Sequence, residues 1–247
     1  MLDDNHELML LLLFIMFLLC LMLIGVMNIS FCNDHPKQCK YINSLELNNG
    51  DIVCVSYKNI AGNFVSSFSS SIWSHTGIIW VDPITNIRYV SEGAIYSIEK
   101  YRHFMRIPFD LWLYINRKNL VGYKKYNGPR LKSQNMEKIM SVFERNCKLD
   151  GFNVFWSKFL IKRPYYEYYL SNKYTCIEYS VILLQLFGIY KKDHIYSSYL
   201  PYEIVNDLIK TNEGINYDKV CEIKISPLQF ETIKNFMSKE KQKSKKN

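Results

Sequence analysis

A cysteine at the first turn of an apolar helix is the feature that most constrains this chain. In Thr175-Cys176-Ile177-Glu178 the threonine hydroxyl can accept from the backbone N–H of Glu178 while the Glu178 carboxylate reaches back to the N–H of Thr175. This capping box makes Cys176 the first helical residue. Val181, Ile182, Leu183, Leu184 and Leu186 follow, and Gly188 supplies a left-handed stop. The segment reads as a buried helix. At its start the unpaired backbone donors and the positive end of the helix dipole favour a thiolate, the setting in which a cysteine becomes a nucleophile. Taken alone, such a cysteine is more often structural, because cysteine is among the most buried residue types.

A histidine changes that balance. Ser74-His75-Thr76-Gly77-Ile78-Ile79-Trp80-Val81 puts it at the head of an apolar β run, and Ile87-Arg88-Tyr89-Val90-Ser91-Glu92 forms a second run. Asp82-Pro83-Ile84-Thr85-Asn86 between them is turn chemistry, so the two runs predict a hairpin. An antiparallel hairpin sets the start of one strand beside the end of the next, which makes neighbours of His75 and Glu92. They supply a base and a carboxylate to orient it. The Glu92 assignment depends on register, since a slip of one residue turns its side chain to the other face.

With these residues on the page, the chain resembles the permuted papain-fold proteins of the YiiX/YaeF type, in the NlpC-like superfamily, whose relatives include proteins of large DNA viruses. The matching elements stand in that family's order: the entry strand Leu47-Asn48-Asn49-Gly50-Asp51-Ile52-Val53, the Ser-His-x-Gly strand, Tyr89-Val90-Ser91-Glu92, and Tyr174-Thr175-Cys176-Ile177-Glu178. Tyr199-Leu200-Pro201-Tyr202-Glu203-Ile204 looks like the Pro-initiated helix that follows them. The resemblance covers roughly residues 45–210 and implies a Cys176 nucleophile, a His75 general base and a Glu92 orienting group. Two positions depart from the pattern. Ile177 stands where the family commonly has serine, and Gly151-Phe152-Asn153 where a Tyr-Asp pair is common.

Leu8 to Met27 is a run of 20 residues without charge or proline, which as a helix of about 1.5 Å per residue matches the hydrocarbon thickness of a bilayer. The residues before it, Asp3, Asp4 and Glu7, are acidic, unlike a cleaved signal peptide. A single-pass anchor over 8–29 is the expectation, with an acidic stretch over 1–7 and a juxtamembrane linker over 30–44. Lys37 and Lys40 follow the span and neither lysine nor arginine precedes it, which places the carboxyl-terminal domain on the cytosolic side, in a cellular or virion membrane. The seven cysteines (20, 32, 39, 54, 147, 176 and 221) show no disulfide framework, and an active thiol suits a reducing compartment. The sequon Asn28-Ile29-Ser30 lies at the membrane edge and argues for no luminal domain.

The net charge of +8 is half accounted for by residues 239–247, which carry five lysines against Glu240 and read as a basic, disordered tail. Nothing resembles a zinc-ligand spacing, a phosphate loop or an RNA-binding signature, so neither a metal, a cofactor nor a specific nucleic-acid partner is expected. A membrane-lipid partner is. The remaining 45–238 is one domain by length.

Met136, Ile139, Met140, Phe143 and Cys147 recur at helical spacing after Ser133. Leu111 to Ile115 reads as a strand, as does Cys221 to Ile225, and Ser226-Pro227-Leu228-Gln229 is a second capping box. The expected architecture is α+β, a permuted papain-like, NlpC-type domain with an antiparallel sheet packed on helices, preceded by one transmembrane helix. Trp156 to Tyr174 interleaves tyrosines with Lys158, Lys162 and Arg163 and suits a membrane interface or the rim of a cleft. Tyr174, Trp73, Tyr165 and Tyr166 are the candidate substrate contacts.

The function expected is that of a membrane-anchored thiol hydrolase or acyltransferase on an amide or ester bond, with a lipid or acylated peptide as substrate class. The alternative is an inactive membrane or virion protein that retains the fold as a binding module.

Overall fold

A computed structural model describes residues 12–17, 19, 36, 39–59, 62, 63, 65, 66, 71–93, 104–146, 148, 149, 173–192 and 201–244. Its centre is a seven-stranded sheet of β1 (Cys39–Tyr41), β2 (Ile52–Ser56), β3 (His75–Val81), β4 (Arg88–Gly93), β5 (Phe104–Pro108), β6 (Leu120–Lys124) and β11 (Cys221–Lys224). The order is β1-β11-β6-β2-β3-β4-β5. Every neighbouring pair is antiparallel except β1 and β11, which run parallel. The pairs β7 (Tyr126–Asn127) with β10 (Asn216–Tyr217) and β8 (Lys148–Leu149) with β9 (Lys173–Tyr174) form two small satellite sheets. The architecture is α+β with a mostly antiparallel sheet, as the sequence implies.

Helices of the folded domain among the described residues include α1 (Phe109–Ile115), α2 (Ser133–Asn146), α3 (Cys176–Leu186), α4 (Pro201–Val205) and α5 (Pro227–Ser244). Both faces of the sheet are covered, which is why β2 is a continuous apolar run rather than an alternating one. Ile52, Cys54, Ile78 and Trp80 face one core with α2 and α3. Val53, Val55, Ile79 and Val90 face the other, with Phe109, Trp112 and Leu113 of α1. Helix α3 is buried from Ile177 through Gln185, as a helix apolar on every side must be. It ends where Gly188 takes a left-handed conformation, φ 75°.

Several expectations are corrected. Leu111–Ile115 lies in helix α1 and not in a strand. Phe109, Trp112 and Leu113 are its buried residues, and their i, i+3, i+4 spacing after Pro108 is helical. The stretch expected as a linker contributes β1 and a 3-10 turn, Ser44–Glu46, so the folded unit starts before residue 45. Helix α5 runs to Ser244, taking in most of the stretch expected to be disordered, because Lys, Glu and Gln are good helix formers. Its start carries the expected capping box, with the Gln229 N–H donating to Ser226 Oγ at 3.2 Å and the Ser226 N–H to Gln229 Oε1 at 3.1 Å.

No helix among the described residues is long and apolar enough to cross a membrane. Of the Leu8–Met27 run only residues 12–17 and 19 are described. They are helical with exposed apolar side chains, and the rest of the expected anchor lies outside the described residues.

Two buried polar groups tie the sheet to its surroundings. The Lys124 ammonium, fully buried, donates to the carbonyls of Ile204 (3.0 Å) and Val205 (2.9 Å) and pairs with Asp207 (2.6 Å), closing the carboxyl end of α4. The Asp51 carboxylate, also fully buried, accepts from the Asn48 N–H (2.8 Å), the Tyr126 N–H (2.8 Å) and the Tyr123 hydroxyl (2.9 Å). Burial nevertheless dominates and raises its pKa from 3.8 to about 6.

The folded state therefore binds that proton more tightly than the unfolded chain, and the Asp51 contribution to stability falls as pH rises from 3.8 to about 6. Urea denaturation across this window should show the decline in the parent, and Asp51→Asn, which cannot titrate, should flatten it.

Candidate active site

The β3–β4 hairpin forms in the register that the site needs. Ile78 pairs with Ser91 and Ile79 with Val90, which sets Glu92 opposite Gly77 and one diagonal step from His75, on the same face. Gly77 is required there by space. A Cβ at this position would stand 2.6 Å from Val90 Cγ1 and 3.3 Å from Glu92 Cβ, so only glycine lets the Glu92 side chain reach across to the histidine.

The result is a 2.8 Å contact between His75 Nε2 and Glu92 Oε2, with both side chains almost wholly buried. Ser74 explains the residue before the histidine. Its N–H (2.9 Å) and its hydroxyl (3.2 Å) both donate to the Val55 carbonyl, and its hydroxyl accepts from the Tyr57 N–H at 2.9 Å, locking the end of β2 to the start of β3.

Cys176 arrives from the opposite layer. Thr175 has extended backbone (φ −80°, ψ 168°); its N–H donates to Glu178 Oε2 at 2.8 Å, and the Glu178 N–H donates to Thr175 Oγ1 at 3.3 Å. The predicted capping box is thus present, and its glutamate is buried. One turn on, Ser180 fixes the helix against β3, with the Thr76 hydroxyl donating to Ser180 Oγ at 3.2 Å. Tyr179 fixes it against β4, with its hydroxyl 2.6 Å from Ser91 Oγ. These contacts hold the half-buried Cys176 at the start of β3, near enough to the His75 ring for its thiol to act on the histidine's protonation. With Nε2 committed to Glu92, the ring nitrogen left for the sulfur is Nδ1.

Burial by itself disfavours the imidazolium. The electrostatic influence of Tyr57, Cys176 and Glu92 outweighs it and holds the His75 pKa well above the usual 6.5.

Two groups that the sequence reading did not single out complete the arrangement. Trp112 Nε1 of α1 donates to the same Glu92 Oε2 at 2.8 Å. The Tyr57 ring lies 5.5 Å from the His75 ring, tilted by 42°. The helical spacing after Pro108 is the available signal for Trp112, which the apolar run Leu111 to Ile115 taken alone does not show. No local pattern in the sequence marks Tyr57, which the end of β2 brings beside Ser74 and the His75 ring.

The candidate substrate contacts fare differently. Trp73 is a core residue, fully buried and packed over Gly122, where a Cβ would come within 2.5 Å of its ring. The backbone of Tyr174 forms β9 beside β8, and Tyr165 and Tyr166 lie outside the described residues, as do Gly151 and Asn153. Ile177, at the position where serine is common, is buried in the core on the α3 side of the sheet. A cavity of about 880 Å³ opens at the far end of β3, lined among others by Val81, Asp82, Arg88 and Lys132, and contains neither Cys176 nor His75. Among the described residues, no group of three or more His, Cys, Asp or Glu side chains is arranged to hold a metal ion.

Two outcomes follow from this geometry. Gly77→Ala should cost about 1–3 kcal/mol by overpacking, measured by urea denaturation, and should part His75 from Glu92. The His75 contribution to stability should be complete below about 6.5 and decline as pH rises through the elevated folded-state value, because the folded protein binds that proton more tightly. His75→Gln should abolish the decline.

No protein-family model matches the sequence, and no curated protein does. Among solved structures, the chain is similar to the crystal structure of the metalloprotein yiiX from Escherichia coli O157:H7, at a TM-score of 0.40 and 14% identity over 74% of this chain and 91% of that one.

Proposed function

We propose that this chain is a thiol hydrolase or acyltransferase that forms an acyl-thioester on Cys176. The observation that carries the reading is His75, in a 2.8 Å contact with the buried Glu92 carboxylate and under the electrostatic influence of Cys176, which stands at the start of a capped helix. In this reading His75 takes the thiol proton, and Glu92 orients the ring and stabilises the imidazolium that results. The thiolate then adds to an amide or ester carbonyl. The capping box occupies the N–H groups of Thr175 and Glu178. Those of Cys176 and Ile177 are at the helix start, where the oxyanion of the tetrahedral intermediate would form. Collapse of that intermediate expels the amine or alcohol, which takes its proton from His75, and leaves the thioester for water or another acceptor.

The apolar run Leu8–Met27 supports a membrane-anchored form of this enzyme with its domain facing the cytosol or the interior of a particle, and a lipid or acylated peptide as substrate class. The resemblance to permuted papain-fold proteins supports the same chemistry.

The test is acylation of the full chain by a 4-nitrophenyl acyl ester, followed by intact mass and peptide mapping. The expected outcome is a single acyl group on Cys176, formed with a burst of nitrophenol, abolished by Cys176→Ala and reduced at least about 100-fold by His75→Ala. A folded protein that takes up no acyl group at Cys176 would instead be a binding module that retains the site's geometry.

A further inference from the structure

We propose that Trp112 is a positioning residue for this site, its indole N–H holding the Glu92 carboxylate in the orientation and charge state that His75 requires. The inference rests on the thiol-hydrolase reading and goes beyond it, because it assigns a role to a residue on the far layer of the sheet.

The geometry is specific. Glu92 Oε2 is approached by two donors at equal distance, His75 Nε2 at 2.8 Å and Trp112 Nε1 at 2.8 Å. Trp112 and Glu92 are both fully buried, so the indole cannot exchange this partner for bulk water. Helix α1 is itself braced. Phe109 stacks near the Trp112 ring at 6.4 Å, and Gln229 of α5 donates to Asp110 Oδ1 at 3.2 Å. The indole therefore meets the carboxylate from a fixed direction.

A buried carboxylate that loses a donor is less able to remain charged. The proton it shares with His75 then moves towards Glu92, the ring becomes neutral, and the sulfur loses the cation beside it. Among the described residues, the titratable groups that act on His75 from the surrounding elements are Glu92 in β4, Tyr57 following β2 and Cys176 in α3, and Cys54 of β2 is coupled to it electrostatically from the other face of the sheet. Trp112 is the group that reaches Glu92 from the α1 layer without itself titrating.

The experiment uses the full chain, with alkylation of Cys176 by iodoacetamide followed from pH 5 to 9. In the parent, alkylation at pH 6 should exceed that of His75→Ala about tenfold. Trp112→Phe keeps the ring and removes the donor. It should lower the rate at pH 6 about tenfold and leave the rate at pH 9 unchanged. A rate reduced by one common factor at every pH, or not reduced at all, means that Trp112 only fills space and overturns the proposal.

A second measurement does not depend on whether the variant folds. In parent protein with ¹⁵N-labelled tryptophan, the Trp112 indole resonance should titrate with the same midpoint as the His75 ring, and an indole signal that ignores that midpoint also overturns the proposal. A parent with no excess reactivity over His75→Ala overturns the thiol-hydrolase reading instead, and is recognised because the indole and ring titrations still coincide.

Discussion

The contact between His75 and Glu92 is the interaction on which the site's architecture depends. Placing a carboxylate in a core is expensive, and an opposing charge repays that cost only when further hydrogen bonds complete the arrangement. Here the sheet supplies the pair and the two covering layers supply the rest. Trp112 approaches the carboxylate from the α1 side, and Cys176 approaches the ring from the α3 side. Each layer carries its own apolar cluster, so the polar site is a bridge between two cores that the sheet otherwise separates.

That bridge explains residues of otherwise obscure identity. Thr76 and Ser180, and Ser91 with Tyr179, are polar groups inside an apolar interface, and each partners the other across the strand–helix contact. Such pairs contribute little net stability, because each replaces bonds to water. They penalise any sliding of the helix, since a slipped helix would leave them unsatisfied. The Tyr179 hydroxyl extends the same system by donating to Glu144 of α2 at 2.8 Å, and Glu144 in turn pairs with Arg106 of β5 at 3.0 Å. The position of the Cys176 helix is thereby referred to the sheet and to a second helix.

Much of the site was legible because its determinants are local. The capping box at Thr175 and the hairpin that aligns His75 with Glu92 are each set by a few neighbouring residues, and sequence patterns report such features well. The segment Leu111–Ile115 was misread because a five-residue apolar run has no resolvable period, and its helical spacing appears only when Phe109 is included. The sequence does not say which way the Trp73 side chain points, and it packs into the core on the α3 side of the sheet. Strand β1 pairs with β11, from the other end of the chain, and no local signal announces that contact. The aromatic stretch around Tyr165 and Tyr166 lies outside the described residues.

The order in which these parts leave the ribosome follows from the same topology. The hairpin joins residues 17 apart in sequence, whereas the contact that seats the Cys176 helix on it joins Thr76 to Ser180, 104 apart. Contacts of long sequence separation form late, since the intervening chain must be ordered first. The surroundings of Cys176 thus stay incomplete until most of the domain has been made, and β11, which closes the sheet against β1, is later still. Assembly of the cysteine's surroundings is in this way tied to completion of the polypeptide.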